Sequence, residues 1–273
     1  MPSKRKKRRL KPWAFLTLVF GGLTLLALLI STLAGAFSKP IEEAALTQKV
    51  IQDSEEEKTV LEKVMIPPAE DESREDLDVF HDTDSLLLLA NKKHPLPDGY
   101  APYDLVEPSV PMVFGSAPLR AEAASAIEEM FAAAANDGIT LLLGSGYRSQ
   151  EYQDQLYSGY SAQYGWEVAD TISSRPGYSD HQTGLAADIS DHDGATYLSE
   201  EMENTPEGAW LKDHAHEYGF IMRYPKGKQD ITGYAYEPWH FRYVGVDYAT
   251  AIYNIDPFYS FEEYFGVEGG DYE

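Results

Sequence analysis

Residues 179–188 read Ser-Asp-His-Gln-Thr-Gly-Leu-Ala-Ala-Asp and residues 237–240 read Glu-Pro-Trp-His, two short clusters roughly fifty positions apart. A fold for this chain has to bring them together, because between them they hold the donor set of a hydrolytic metal centre. Zinc in a hydrolase takes three ligands of the His or carboxylate kind and keeps one position open for water. His181, Asp188 and His240 meet that need. Glu237 is then left over as a base.

The spacing sets local requirements. Seven positions separate His181 from Asp188, an odd interval that on one straight strand points the two side chains to opposite faces. A bend is therefore required, and Gly184 is the residue that permits it. Beyond the bend, Ala186 and Asp188 share one face of a short strand running to Ile189. Glu237 and His240 pose the same problem, and Pro238 favours a turn that brings carboxylate and imidazole to one cavity. A Glu-x-x-His step also fits one face of a helix. Pro238 and the aromatic, β-branched run from Trp239 to Val244 argue for a strand instead. No His-Glu-x-x-His motif occurs in the sequence, so the two-histidine helix of thermolysin-like enzymes is excluded.

The N-terminus says where such chemistry takes place. Seven Lys and Arg residues precede Pro12, and no charge follows from Pro12 through Ser38. A helix over residues 12–38 reaches roughly 40 Å, enough to cross a hydrocarbon core of roughly 30 Å. The basic head at 1–11 keeps that end in the cytoplasm, so the remainder is expected outside the cell membrane as a single-pass protein. A cleaved signal peptide is the rival reading, since Ala34-Gly35-Ala36 looks like a cleavage site. The apolar run from Trp13 to Leu33 is long for a signal core of about 7–15 residues, which favours an uncleaved anchor. Beyond the head, 15 basic residues face 45 acidic ones, a formal charge of −30, which argues against nonspecific binding of nucleic acid. With no cysteine in the chain, the fold has no disulfide and depends on its core.

Residues 39–84 read as an acidic, disordered stalk, with Glu55-Glu56-Glu57, Pro67-Pro68 and few aromatics. The folded domain is expected over 85–265, followed by an acidic tail at 266–273. Its opening is Leu86 to Leu89, with residues 95–111 wrapping the surface. Leu119, Ala123, Ile127, Phe131 and Ala134 recur at helical spacing up to Gly138, and a strand is expected over 139–143. Ser149 is a good N-cap for a second helix that carries Tyr152, Leu156 and Tyr160 inward. Later come a helix over 206–218, a strand over 220–224, a strand over 239–244 and helices over 248–254 and 261–265. Helices and strands without β-α-β regularity predict an α+β fold with a small, largely antiparallel sheet flanked by helices.

Each bright residue has an ordinary alternative. His81, His94, His192, His214 and His216 are read as structural. His192, in Asp191-His192-Asp193, imitates a ligand most closely, but its neighbours look like an exposed turn. Arg148, at a strand-to-helix junction, offers a planar donor fork for a carbonyl oxygen or a carboxylate. Its ordinary role is a salt bridge, and Ser179 is equally a turn residue.

Three motifs now stand in order: residues 145–149 (Ser-Gly-Tyr-Arg-Ser), residues 177–188, and residues 237–245 (Glu-Pro-Trp-His-Phe-Arg-Tyr-Val-Gly). Over roughly residues 86–256 the chain resembles the VanY-type D-alanyl-D-alanine carboxypeptidases, within the wider lysostaphin, D-Ala-D-Ala and hedgehog-type zinc folds. The resemblance implies that His181, Asp188 and His240 bind Zn²⁺, that Glu237 moves the proton of the attacking water, and that Arg148 steadies the scissile carbonyl. By the same likeness Ser179 and Gln153 hold the peptide end. Trp239 is expected to border the substrate as an apolar wall that pushes the Glu237 pKa upward. Asp180 departs from the glutamate expected before the first histidine, which touches only a contact behind the ligands. The implied reaction is removal of the terminal D-alanine from a peptidoglycan stem peptide by a D,D-carboxypeptidase, with a monomer expected. L,D-carboxypeptidase, cross-bridge endopeptidase and a zinc-containing cell-wall sensor without turnover are the alternatives.

Overall fold

Side-chain parity organises the centre of the molecule. The computed structural model describes residues 79–272. The expected basic head, membrane anchor and nearly all of the stalk lie outside the described residues. Among the described residues no helix is long and apolar enough to cross a membrane.

A four-stranded antiparallel sheet carries the fold. In chain order its strands are β3 (Leu142–Ser145), β4 (Ala186–Ser190), β5 (Phe220–Met222) and β6 (His240–Tyr243), arranged β3-β4-β6-β5. A separate two-stranded ribbon pairs β1 (Leu105–Val106) with β2 (Leu119–Arg120). Leu143, Ala187, Ile189, Phe241, Tyr243, Phe220 and Met222 point to one face and join the main core. Helix α1 (Ala121–Asn136) lays Ala123, Ile127, Met130 and Ala134 into that core, the i, i+3/i+4 stripe of an amphipathic helix. On the opposite face Asp188, His240 and Arg242 alternate with these residues, as strand period demands. That face is covered in part by a second apolar cluster of Leu87, Leu89, Ile221, Val244, Ile252 and Phe261.

Several expectations meet their physical reasons here. The α+β architecture with a small antiparallel sheet is present. Ser149 is the N-cap of α2 (Gln150–Tyr164), and its side chain accepts from the Tyr152 N–H at 3.2 Å. Gly138 follows α1 at φ +81°. Leu119 belongs to β2 rather than to the helix, and β3 begins three residues later than the expected 139. Tyr152, Leu156 and Tyr160 do not enter the core. Gln153 is the one buried residue of α2, and Tyr152 is 51 % exposed. Helical spacing marks an apolar stripe but not what covers it, and here the stripe borders an open cleft.

The remaining helices are α3 (Trp166–Ile172), α4 (Pro206–His214), α5 (Gln229–Thr232), α6 (Val246–Ile255) and α7 (Phe261–Phe265). Short 3₁₀ turns connect them, including Asp180–Thr183 and Ala215–Tyr218. α7 opens with a capping box between Ser260 and Glu263.

Packing continues past both expected limits of the 85–265 domain. Phe80 places its ring edge-on to Phe261 and Phe265 at 6.1 and 5.4 Å. At the other end the Tyr272 hydroxyl accepts from the Arg175 N–H at 2.8 Å, and the buried Lys92 ammonium reaches the Asp271 carboxylate at 3.1 Å. Single aromatic rings inside acidic segments anchor these ends, a signal that composition averages away.

Phe241 is 1 % exposed and sits between His240 and Arg242 but on the opposite face. Phe241→Ala is expected to lower the unfolding free energy by about 3–5 kcal/mol. Urea denaturation monitored by circular dichroism measures this, and a loss below about 1 kcal/mol contradicts the assigned face.

Candidate metal centre

Strand register brings the donors together. Asp188 of β4 is the cross-strand partner of His240 on β6, and on its other side it pairs with Ser145 at the end of β3, just past a bulge. His181 arrives from the 3₁₀ turn Asp180–Thr183, which stops at Gly184 in the left-handed region, φ +70°. This is the bend that the odd spacing required. An added Cβ on Gly184 meets Arg120 and Pro102 at 3.0 Å, so both conformation and space select glycine.

A second turn delivers Glu237. Pro238 and Trp239 form it, the His240 N–H donates to the Glu237 carbonyl at 3.2 Å, and the Ile189 N–H donates to the Trp239 carbonyl at 2.9 Å. The Glu237 carboxylate consequently lies 3.1 Å from His240 Nδ1. Burial raises the Glu237 pKa, and the hydrogen bond from His240 works against that rise.

The imidazoles are oriented from behind. His181 Nδ1 donates to the Gly146 carbonyl at 2.7 Å, which leaves the Nε2 lone pair facing inward. Gly146 is needed for this approach, since a Cβ there lies 2.4 Å from the Pro118 carbonyl oxygen. His240 Nε2 donates to Asp180 at 3.3 Å, which leaves Nδ1 on the inward side. Burial and the neighbouring Arg148 lower the His181 pKa. For His240 burial acts the same way, but the carboxylates of Asp180 and Glu237 outweigh it and push the value up to about 9. Asp188 is held well below the usual carboxylate range: burial opposes this, and His181 and Arg148 prevail.

The donor chemistry fits a divalent cation. Asp188 Oδ1 is buried without a hydrogen-bond partner, yet it lies 3.2 Å from His181 Nε2 and 3.6 Å from His240 Nδ1. All three ligand atoms fall within 4.8 Å of one another. Two imidazoles with one carboxylate suit zinc. The other candidate group, Asp191-His192-Asp193, has its histidine ring largely in solvent, and His192 Nδ1 is engaged by Glu207 at 3.0 Å.

Arg148 stands at the rim of the same group. Its Nη2 donates to Asp188 at 2.7 Å and to His181 Nε2 at 2.8 Å, while Nε donates to the Ser145 hydroxyl at 3.1 Å. These residues floor a cleft of ≈ 700 Å³ that Tyr152, Tyr160, Tyr197, Tyr236 and Trp239 help to line. Ser179 and Gln153 also border it. Gln153 is 1 % exposed, and its amide nitrogen is tied to Ser173 and Ser174 at 3.0 and 2.8 Å. Its carbonyl oxygen is left without a partner.

Asp180, Ser145, Tyr224 and Arg242 also shape the site, and motif spacing assigns none of them a task. Tyr224 packs edge-on to His240 at 4.7 Å between ring centres. Arg242 left a usable signal: a cation two positions after His240 in an apolar strand shares that histidine's face and needs a buried anion.

Fold and donor set together define a peptide hydrolase of the His-Asp-His kind. Residues 116–246 match the model of the VanY family, described as D-alanyl-D-alanine carboxypeptidase, and the chain belongs to that family. A curated relative, putative carboxypeptidase YodJ of Bacillus subtilis, is 42 % identical over 193 residues, 69 % of this chain and 70 % of the relative. The solved LdcB LD-carboxypeptidase is 42 % identical with a TM-score of 0.64, covering 69 % of this chain and 89 % of that one. A mutant of the vancomycin-resistance D,D-pentapeptidase VanY, solved with Zn(II), is 32 % identical with a TM-score of 0.55, covering 65 % of this chain and 97 % of that one.

Replacing Asp188 with Asn removes the only anionic ligand of the three. Stoichiometric zinc is expected in the purified wild-type chain and only traces in Asp188→Asn, measured by elemental analysis after dialysis. Full retention of zinc in the variant contradicts the donor assignment.

Proposed function

We propose that this protein is a zinc-dependent carboxypeptidase that removes the C-terminal D-alanine from peptidoglycan stem peptides. The observation that carries the reading is the Glu237 carboxylate beside a converging His-Asp-His donor set at the floor of an open cleft. His181, Asp188 and His240 hold the ion, which when bound supplies Lewis acidity and brings the pKa of a water near 7. Glu237 accepts the proton of the attacking water and returns it to the leaving amine nitrogen. Burial raises its pKa, the direction that favours a group which must both take and give a proton. Arg148 offers its guanidinium to the oxyanion that develops on the scissile carbonyl. Ser179 holds the peptide end, the unpaired carbonyl of Gln153 accepts from a peptide N–H, and Trp239 limits the cleft on its apolar side.

Two bonds are candidates for cleavage. The D,D reading takes the terminal alanine of a pentapeptide stem. The L,D reading takes that of a tetrapeptide, and the higher identity to LdcB than to the D,D-pentapeptidase favours it. In the cell the domain acts outside the membrane as a monomer, tethered through the uncharged segment at 12–38. The basic head and acidic remainder of the sequence support that placement.

Mass spectrometry of the full chain incubated with pentapeptide and tetrapeptide stems, with and without chelator, tests the proposal. Chelator-sensitive loss of one alanine is expected. An internal cut, or no cleavage with metal retained, overturns it in favour of an endopeptidase or a sensor.

Glu237→Gln is expected to keep the metal and lose about 10²–10⁴-fold in kcat. Arg148→Ala is expected to lose about 10²–10³-fold. Wild-type turnover in either variant contradicts its role.

A further inference from the structure

Behind His240 lies a set of buried charges that the proposed chemistry does not use. Asp180 Oδ2 accepts from His240 Nε2 at 3.3 Å. Its other oxygen is bonded by Arg242 Nη1 and lies 3.9 Å from Arg223 Nε. Both arginines are 0 % exposed. Arg223 turns its fork to Glu262 of α7, with Nη1 to Oε2 at 2.8 Å and Nη2 to Oε1 at 2.7 Å. Asn91 Nδ2 donates to the same carboxylate at 3.1 Å. Arg242 spends its remaining donors on backbone carbonyls, Leu86 at 3.1 Å, Leu88 at 2.6 Å and Tyr243 at 3.0 Å.

The two guanidiniums and two carboxylates make a balanced buried quartet. Balance of this kind matters more than any one pair, because removing one partner strands a charge in a low-dielectric interior. If Glu262 lost its charge, Arg223 would have Asp180 as its nearest remaining anion. Asp180 would then be drawn from His240 toward Arg223 and accept less well from Nε2–H. That hydrogen bond fixes which nitrogen of His240 faces the metal position, and partners of this type hold the orientation and basicity of a metal-ligating imidazole.

We propose that Glu262 is a positioning residue for the metal centre, acting through Arg223 and Asp180 on His240. It lies on α7, outside the matched segment 116–246, as do Asn91, Leu86 and Leu88. Segments flanking the motif-bearing region therefore set the affinity of the site for its ion. The inference rests on the metal reading above.

The test is zinc affinity of the full chain, measured by competition with a chromophoric chelator and paired with thermal unfolding. The variants are Glu262→Gln, Glu262→Asp and, as a control on the same helix, Phe265→Leu. Glu262→Gln is expected to weaken zinc binding about 10–100-fold, with Glu262→Asp in between. Phe265→Leu is expected to lower the melting temperature while leaving zinc affinity within about twofold of wild type, since its ring packs on Phe80 and Tyr248. Should Glu262→Gln fail to fold, Glu262→Asp carries the comparison alone. Wild-type zinc affinity in the Glu262 variants, or an equal loss in Phe265→Leu, overturns the positioning role. Absence of zinc binding by the wild-type chain overturns the metal reading itself.

Discussion

Asp188 and His240 face one another across neighbouring antiparallel strands, and the site depends on that register. A slip of one residue between β4 and β6 moves every side chain to the other face. Ile189 or Ala187 would then take the place of Asp188, and the carboxylate would enter the apolar core. The core pattern forbids this, because Ala187, Ile189, Phe241 and Tyr243 alternate with the donors and bury against α1. The same apolar contacts that stabilise the sheet thus set the position of the candidate donor groups. Stability and chemistry occupy opposite faces of the same strands.

Around that pair, each functional group is held by a partner with little freedom of its own. The Gly146 carbonyl selects the tautomer of His181, and Asp180 selects the inward nitrogen of His240. Arg148 is steadied by Ser145, the residue that pairs with Asp188 across the bulge. Backbone atoms and short side chains do most of this work. Longer, freer side chains would lose more conformational entropy on being fixed in the same geometry. The cleft above the donors is different in kind: its tyrosines are partly exposed, and α2 presents an apolar stripe to it rather than to the core.

The legible parts of the sequence were those with local causes. The Gly184 bend, the Pro238–Trp239 turn, the Ser149 N-cap and the alternation in β4 and β6 all follow from backbone preferences within a few residues. The donor set was legible because His, Asp and Glu at those intervals have few other uses. The illegible parts had distant causes. That Tyr152 and Tyr160 border a cleft depends on what lies opposite α2, and that Phe80 and Tyr272 pack against the domain depends on partners some hundred residues or more away.

By itself the sequence determined which residues are candidates for the site, the turns that present them, and the α+β class, since each follows from short-range sterics and side-chain type. Tertiary structure alone decided which nitrogen of each histidine faces inward, which carbonyl and carboxylate hold it there, and how Arg223, Arg242, Asp180 and Glu262 neutralise one another. Charge balance in a dry interior is a property of atoms brought within a few ångströms by the whole fold, and spacing along the chain does not encode it.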